Sequence, residues 1–174
     1  NRKHTLFTCA ISGDKDGVPT ILNEELTKLA ETMSYPQMII SILLGQKPKS
    51  KELVEFTELV LKLLTDHGPC VSGAVNTMIT ARAGKDLVSS LCSGLLTIGD
   101  RFGGAINEAA GNWLQAVKNN VDPAKFVEDY ASQQKHIAGI GHKKYNSHQP
   151  DPRVKMLLKF GESLKEKSFT NFAL

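Results

Sequence analysis

The stretch "LKLLTDHGPCVSGA" (61–74) decides the fold. Upstream of its end, Leu53, Phe56, Leu59, Val60, Leu63 and Leu64 recur at helical spacing, which makes one face of a helix apolar. The pattern runs into Asp66 and His67 and is stopped by Gly68 and Pro69. Beyond Pro69 the apolar residues resume with the period of a helix rather than the alternation of a strand. They do so in "GAVNTMITARA" (73–83), "KDLVSSLCSGLLTIG" (85–99) and "GGAINEAAGNWLQAVKN" (103–119), with Gly84 as punctuation between the first two. A chain that ends one apolar helix on a glycine–proline corner and starts the next reads as almost all α.

The same reading extends outward. Asp122 is placed to cap "PAKFVEDYASQQ" (123–134), and Asp151 with Pro152 opens a last helix after the glycine-bearing loop "AGIGHKKYNSHQP" (138–150). Toward the start, Ser50 can cap the helix that carries Leu53, and Pro36 suits the first turn of "PQMIISILL" (36–44). Asn23 is expected to cap a helix with Glu24 and Glu25 in its first turn. "LFTCAIS" (6–12) reads as a short strand or extended segment, and "GDKDG" (13–17) as a turn. "SFTNFAL" (168–174) is apolar with no capping or stop signal, so a chain cut short there is the expectation.

With 174 residues, 41% of them hydrophobic and 22% charged, the composition is that of a soluble globular protein. The net charge of +3 is mild and its basic residues are interleaved with acids, which argues against a nucleic-acid partner. No apolar run is long enough to span a bilayer and no signal-peptide pattern is read. Cys9, Cys70 and Cys92 are an odd number at unrelated spacings, which fits reduced thiols in a cytoplasmic protein.

Four places carry candidate chemistry. His67, at a helix end beside glycine, can aim its ring into a cleft and donate to an oxyanion or accept a proton, or it can merely cap helix carbonyls. In "GIGH" (139–142), Gly139 and Gly141 permit positive φ and leave amides uncovered for a ligand, with His142 at the end; an ordinary surface loop is the alternative. Arg153 falls in the first turn of a helix beside free amides, a natural carboxylate site, unless it only decorates the surface. "TIGDRFGGA" (97–105) has a glycine pair suited to a tight loop or to close helix packing, but no phosphate-loop pattern, and core packing is the default for Phe102. His136, His142 and His148 are spaced by six and do not stack on one helix face; with no CxxC or HExxH, no metal is expected. No GxSxG elbow is present.

The order of "TDHGPCVSGAVNT" (65–77), "ARAGKDLVSSLCSGLLTIGDRFGGA" (81–105) and "GIGHKKYNSHQPDPR" (139–153) resembles the citrate-synthase-homology region of ATP-citrate lyase and its relative citryl-CoA lyase. The resemblance covers most of the chain. It implies a citrate-synthase-like, all-α, two-domain fold, with residues 1–68 in the large helical domain and 69–174 an incomplete small one. It implies retro-Claisen cleavage of citryl-CoA to acetyl-CoA and oxaloacetate, with coenzyme A as a substrate, in a cytoplasmic homo-oligomer, dimer or tetramer, that works with an ATP-grasp module. By the same resemblance His67 contacts the citryl hydroxyl or the carbonyl it becomes, His142 is the second catalytic histidine, and Arg153 grips a substrate carboxylate. Phe102 and Gly103 fall at the substrate, and Gly139, Gly141 and Lys143 at coenzyme A.

Three departures qualify that transfer. Citrate synthases carry a histidine in "GPLHGGA" where this chain has Phe102, which disfavours an ordinary citrate or 2-methylcitrate synthase. The family's "GHR" is His142–Lys143 here, which keeps the charge but loses the bidentate fork. The family's catalytic aspartate sits in an "NVDG" motif that does not occur in these 174 residues, and neither do the ATP-grasp and phosphohistidine parts. The chain alone is therefore expected to be inactive. A non-catalytic oligomerisation module of the lyase is the reading from a different class.

Overall fold

The computed structural model describes residues 8–100, 103–142, 144–146 and 148–173. It divides into two compact units, Asn1–Thr65 and Asp66–Leu174. Helices dominate both, and a small sheet is confined to the first.

The first unit opens with three antiparallel strands in the order β1 (Ser12–Lys15), β2 (Val18–Ile21) and β3 (Glu24–Glu25). Asp16 and Gly17, both at positive φ, make the first two-residue turn, and Leu22 and Asn23, also both positive, make the second. Two sequence expectations change here. The strand begins at Ser12, where the extended segment was read as ending, and takes in the start of "GDKDG"; the turn is reduced to its Asp-Gly pair. Asn23 is a turn residue and not a helix cap, because asparagine tolerates the left-handed conformation that a tight hairpin demands. Glu24 and Glu25 are strand residues paired with Ile21 and Thr20.

Helix α1 (Leu26–Thr32) follows directly and buries Leu29. Helix α2 (Tyr35–Leu44) starts on a capping box in which Ser34 accepts from the Gln37 amide and the Gln37 side chain accepts from the Ser34 amide at 2.7 Å. Helix α3 (Lys51–Leu63) is capped by Ser50, which accepts from the Leu53 amide at 3.1 Å. Pro36 and Ser50 therefore do what their positions in the sequence imply.

The second unit begins with a helical hairpin, α4 (Ser72–Arg82) and α5 (Leu87–Leu95), turned at Gly84 and capped by Asp86. Small residues bring these two helices together. A Cβ on Gly94 would lie 2.8 Å from the Gly73 carbonyl oxygen and collide with the Thr77 hydroxyl. The Thr80 hydroxyl donates to the Asn76 carbonyl at 2.8 Å and shares a hydroxyl–hydroxyl bond with Ser93 across the seam at 2.9 Å, and Ser90 is buried, donating to the Asp86 carbonyl at 2.8 Å.

Helix α6 (Ala105–Lys118) buries Ala109 and Ala116. Helix α7 (Pro123–Ser132) is capped by Asp122, and α8 (Pro152–Ser163) by Asp151. The apolar tail forms a further helix, α9 (Ser168–Ala173), beyond the last one expected from the sequence. Its aromatics explain its composition: Phe169 meets Trp113 of α6 at 6.1 Å between ring centroids, and Phe172 meets Phe126 of α7 edge-on at 5.4 Å. Among the described residues, no helix is long and apolar enough to cross a membrane.

Candidate functional site

Helix α3 ends at Leu63, earlier than the apolar pattern implied, and Asp66 and His67 lie past it in irregular chain. The Asp66 carboxylate accepts from the Gly68 amide at 2.9 Å, and Gly68 sits at positive φ. This local turn frees His67 from the helix, so the ring does not cap helix carbonyls. It reaches α8 instead: Arg153 Nη1 lies 3.2 Å from His67 Nδ1, across 86 residues of sequence.

Arg153 is itself held. Asp151 Oδ1 accepts from the Arg153 amide at 2.9 Å and from Nε at 3.0 Å, while Oδ2 accepts from Nε at 3.1 Å and Nη2 at 2.5 Å. The pair is partly sheltered, with 12% of the Asp151 side chain and 34% of the Arg153 side chain exposed. The guanidinium beside Asp151 holds its carboxyl below the usual carboxylate range. The backbone bond to Arg153 and the charge of Arg153 itself add smaller pulls in the same direction, and burial opposes them. Asp151 in turn raises the proton affinity of Arg153, with a smaller contribution from Tyr145.

His142 lies in the loop before α8. Its Nδ1 accepts from the Lys144 amide at 3.0 Å and the Tyr145 amide at 3.3 Å, and its ring stacks obliquely on Tyr145 at 4.9 Å. Both histidines therefore have Nδ1 facing N–H donors. An arginine or a backbone amide can only donate, so Nδ1 must supply a lone pair and the neutral ring carries its proton on Nε2. Of the two roles open to these rings, hydrogen-bond donation to an oxygen through Nε2 is the one their tautomer supports.

The two loop glycines differ. Gly139 has φ +80 and a Cβ there would come 2.9 Å from the Ala109 side chain, so close packing on α6 already accounts for it. Gly141 has φ +111 and open space around it, which suits approach by a ligand. Gly103 is exposed at positive φ, in a parallel bridge with Gly99 at the start of α6. Phe102 and Lys143 lie outside the described residues. The structure thus joins His67 to Arg153, while His142 sits in the loop before α8, bonded to the Lys144 and Tyr145 amides. Asp151 as a clamp and Tyr145 as a neighbour of His142 were not foreseen from the sequence. The signal for the first is the Asp-x-Arg spacing at a helix start. Among the described residues, no group of three or more His, Cys, Asp or Glu could hold a metal ion.

Comparison with known proteins adds to this geometry. Residues 11–173 match the family model described as citrate synthase, C-terminal domain. Probable ATP-citrate synthase subunit 1 of Schizosaccharomyces pombe is 44% identical over 156 residues, covering 90% of this chain and 25% of the relative. ATP citrate lyase from Methanothrix soehngenii, solved in complex with citrate and coenzyme A, superposes with a TM-score of 0.87 at 38% identity, covering 99% of this chain and 28% of that one. Citryl-CoA lyase from Hydrogenobacter thermophilus gives 0.86 at 26% identity, covering 97% and 65%. The chain spans about a quarter of the length of the curated relative.

Proposed function

Because the chain belongs to the citrate synthase C-terminal domain family, we propose that it supplies the carbon–carbon-cleaving site for citryl-CoA in an ATP-citrate lyase. The observation that carries this reading is the joining of His67 to the Asp151-held guanidinium of Arg153. A cation and a donor ring meet there, and a substrate with both a carboxylate and a hydroxyl needs both.

In the proposed reaction the tertiary hydroxyl of citryl-CoA loses its proton. The bond from the carbinol carbon to the thioester's methylene carbon breaks. The carbinol carbon becomes the ketone of oxaloacetate, and the electron pair enters the enolate of acetyl-CoA, whose carbon then takes a proton. Arg153 binds a carboxylate through its free N–H groups. His67 donates from Nε2 to the hydroxyl oxygen as it becomes a carbonyl, and His142 donates to a developing oxyanion. Rings protonated on Nε2 do not accept the hydroxyl proton there, so the base and the enolate's acid are other groups; the family resemblance assigns the acid to an aspartate. Coenzyme A approaches the loop at Gly141, with Gly139 and Lys143 alongside, and the substrate approaches Phe102 and Gly103.

Residues 1–68 belong to the large helical domain in this reading and 69–174 to the small one. The protein works in the cytoplasm as a homo-oligomer with an ATP-grasp module that makes citryl-CoA. Leu87 and Leu96, 82% and 86% exposed on and just after α5, support contacts with further protein. The test is to supply citryl-CoA to the full-length protein and follow oxaloacetate through malate dehydrogenase. Release of oxaloacetate that is lost in Arg153→Ala is expected. Undiminished release from Arg153→Ala removes this cluster from the reaction. Coenzyme A binding without any cleavage by the parent protein overturns the assignment.

A further inference from the structure

Five helix starts among the described residues have side-chain caps. Ser34, Ser50, Asp86 and Asp122 each accept from the amide three residues on, at Gln37, Leu53, Ser89 and Lys125. Asp151 accepts from the amide two residues on, at Arg153. Capping by itself needs one oxygen. Asp86 and Asp151 use both, but the second oxygen of Asp86 accepts from the hydroxyl of the same Ser89 it caps, at 2.6 Å, whereas that of Asp151 serves only the guanidinium, at Nε and Nη2. Bonding to the second amide of the helix rather than the third, as the other four caps do, places the carboxylate edge-on to the guanidinium of the same residue.

We propose that Asp151 is a positioning residue, which clamps the Nε/Nη2 edge of Arg153 so that Nη1 fixes the His67 ring and the remaining N–H groups face a substrate carboxylate. This role rests on the citrate-binding reading of the site. A guanidinium has five N–H donors, of which Asp151 takes those on Nε and one on Nη2 and His67 takes one on Nη1, leaving two. Without the clamp the side chain is free to rotate about four single bonds, and both the carboxylate contact and the His67 tautomer lose their fixed partner.

The test separates capping from clamping. Serine caps a helix about as well as aspartate but is too short to span the guanidinium, so Asp151→Ser in the full-length protein keeps the cap and removes the clamp. Citrate affinity is measured by calorimetry for the parent, Asp151→Ser, Asp151→Asn, Arg153→Ala and the Asp151→Ser/Arg153→Ala double variant, with melting temperatures alongside. We expect Asp151→Ser to weaken citrate binding by about tenfold or more, with Asn intermediate. In the Arg153→Ala background the same change should cost less than about twofold, because a residue that acts through Arg153 has nothing left to act on. Unchanged or tighter citrate binding by Asp151→Ser, or an equal loss in both backgrounds, overturns the positioning role while the parent's citrate binding leaves the site reading standing. A parent protein that binds no citrate overturns both.

Discussion

The α4–α5 hairpin and the His67–Arg153–Asp151 cluster belong to the same compact unit and are held in opposite ways. In the hairpin, glycine, serine and threonine allow two backbones to approach until a single Cβ at Gly94 has no room. In the cluster, nothing is fitted by shape: one carboxylate, one guanidinium and one imidazole are oriented by directional bonds between 2.5 and 3.2 Å. Packing of the first kind tolerates no added atoms but many polar changes. Bonding of the second kind tolerates neighbouring bulk but no change in donor or acceptor. Stability and function therefore answer to different substitutions.

That contrast can be broken by mutation. The largest effect is expected at His67. On the proposed function, His67→Ala in the full-length protein should lower kcat for citryl-CoA cleavage by about 100- to 1,000-fold, the usual loss for one donor to a developing oxyanion, with the melting temperature almost unmoved. A large drop in melting temperature would make the cluster a structural element. Next comes Gly94→Val. Overpacking a seam this tight should destabilise by about 3 kcal/mol, read by denaturant midpoint, and surviving folded protein should keep its citrate affinity. An unchanged midpoint would mean the helices slide apart at little cost. The smallest effect sharpens the picture. Thr80→Val keeps the shape of the seam but removes the hydroxyl's bonds to Ser93 and to the Asn76 carbonyl, and should cost about 1 kcal/mol. A cost equal to that of Gly94→Val would make the hairpin a polar construction after all.

Much of the hairpin was legible in the sequence because its causes are local. The two helical segments and the Gly84 turn between them could be read, whereas the Asp86 cap and the close approach at Gly73 and Gly94 come from the structure. Asp122 and Asp151 were legible as caps for the same reason. Asn23 misled because asparagine suits both a helix cap and a left-handed turn, and only the second hairpin, with Thr20 paired to Glu25, decides between them. The aromatics of α9 looked like a loose apolar end because their partners, Trp113 and Phe126, are far off in sequence. The candidate site was half legible. Motif order singled out His67, His142 and Arg153. The bond from Arg153 to His67 and the double duty of Asp151 depend on distances no spacing encodes.

The way both imidazoles are bonded has a further consequence for what the site excludes. Zinc and copper bind histidine through a ring lone pair, and they bind strongly where two or more such pairs converge. Here the Nδ1 pairs of His67 and His142 already accept N–H groups, and the opposite nitrogens present protons. A stray transition metal meets no free pair on either ring and has Arg153 beside it as a fixed positive charge. The hydrogen bonding that prepares the rings to meet an oxygen also leaves them ill suited to hold a transition metal.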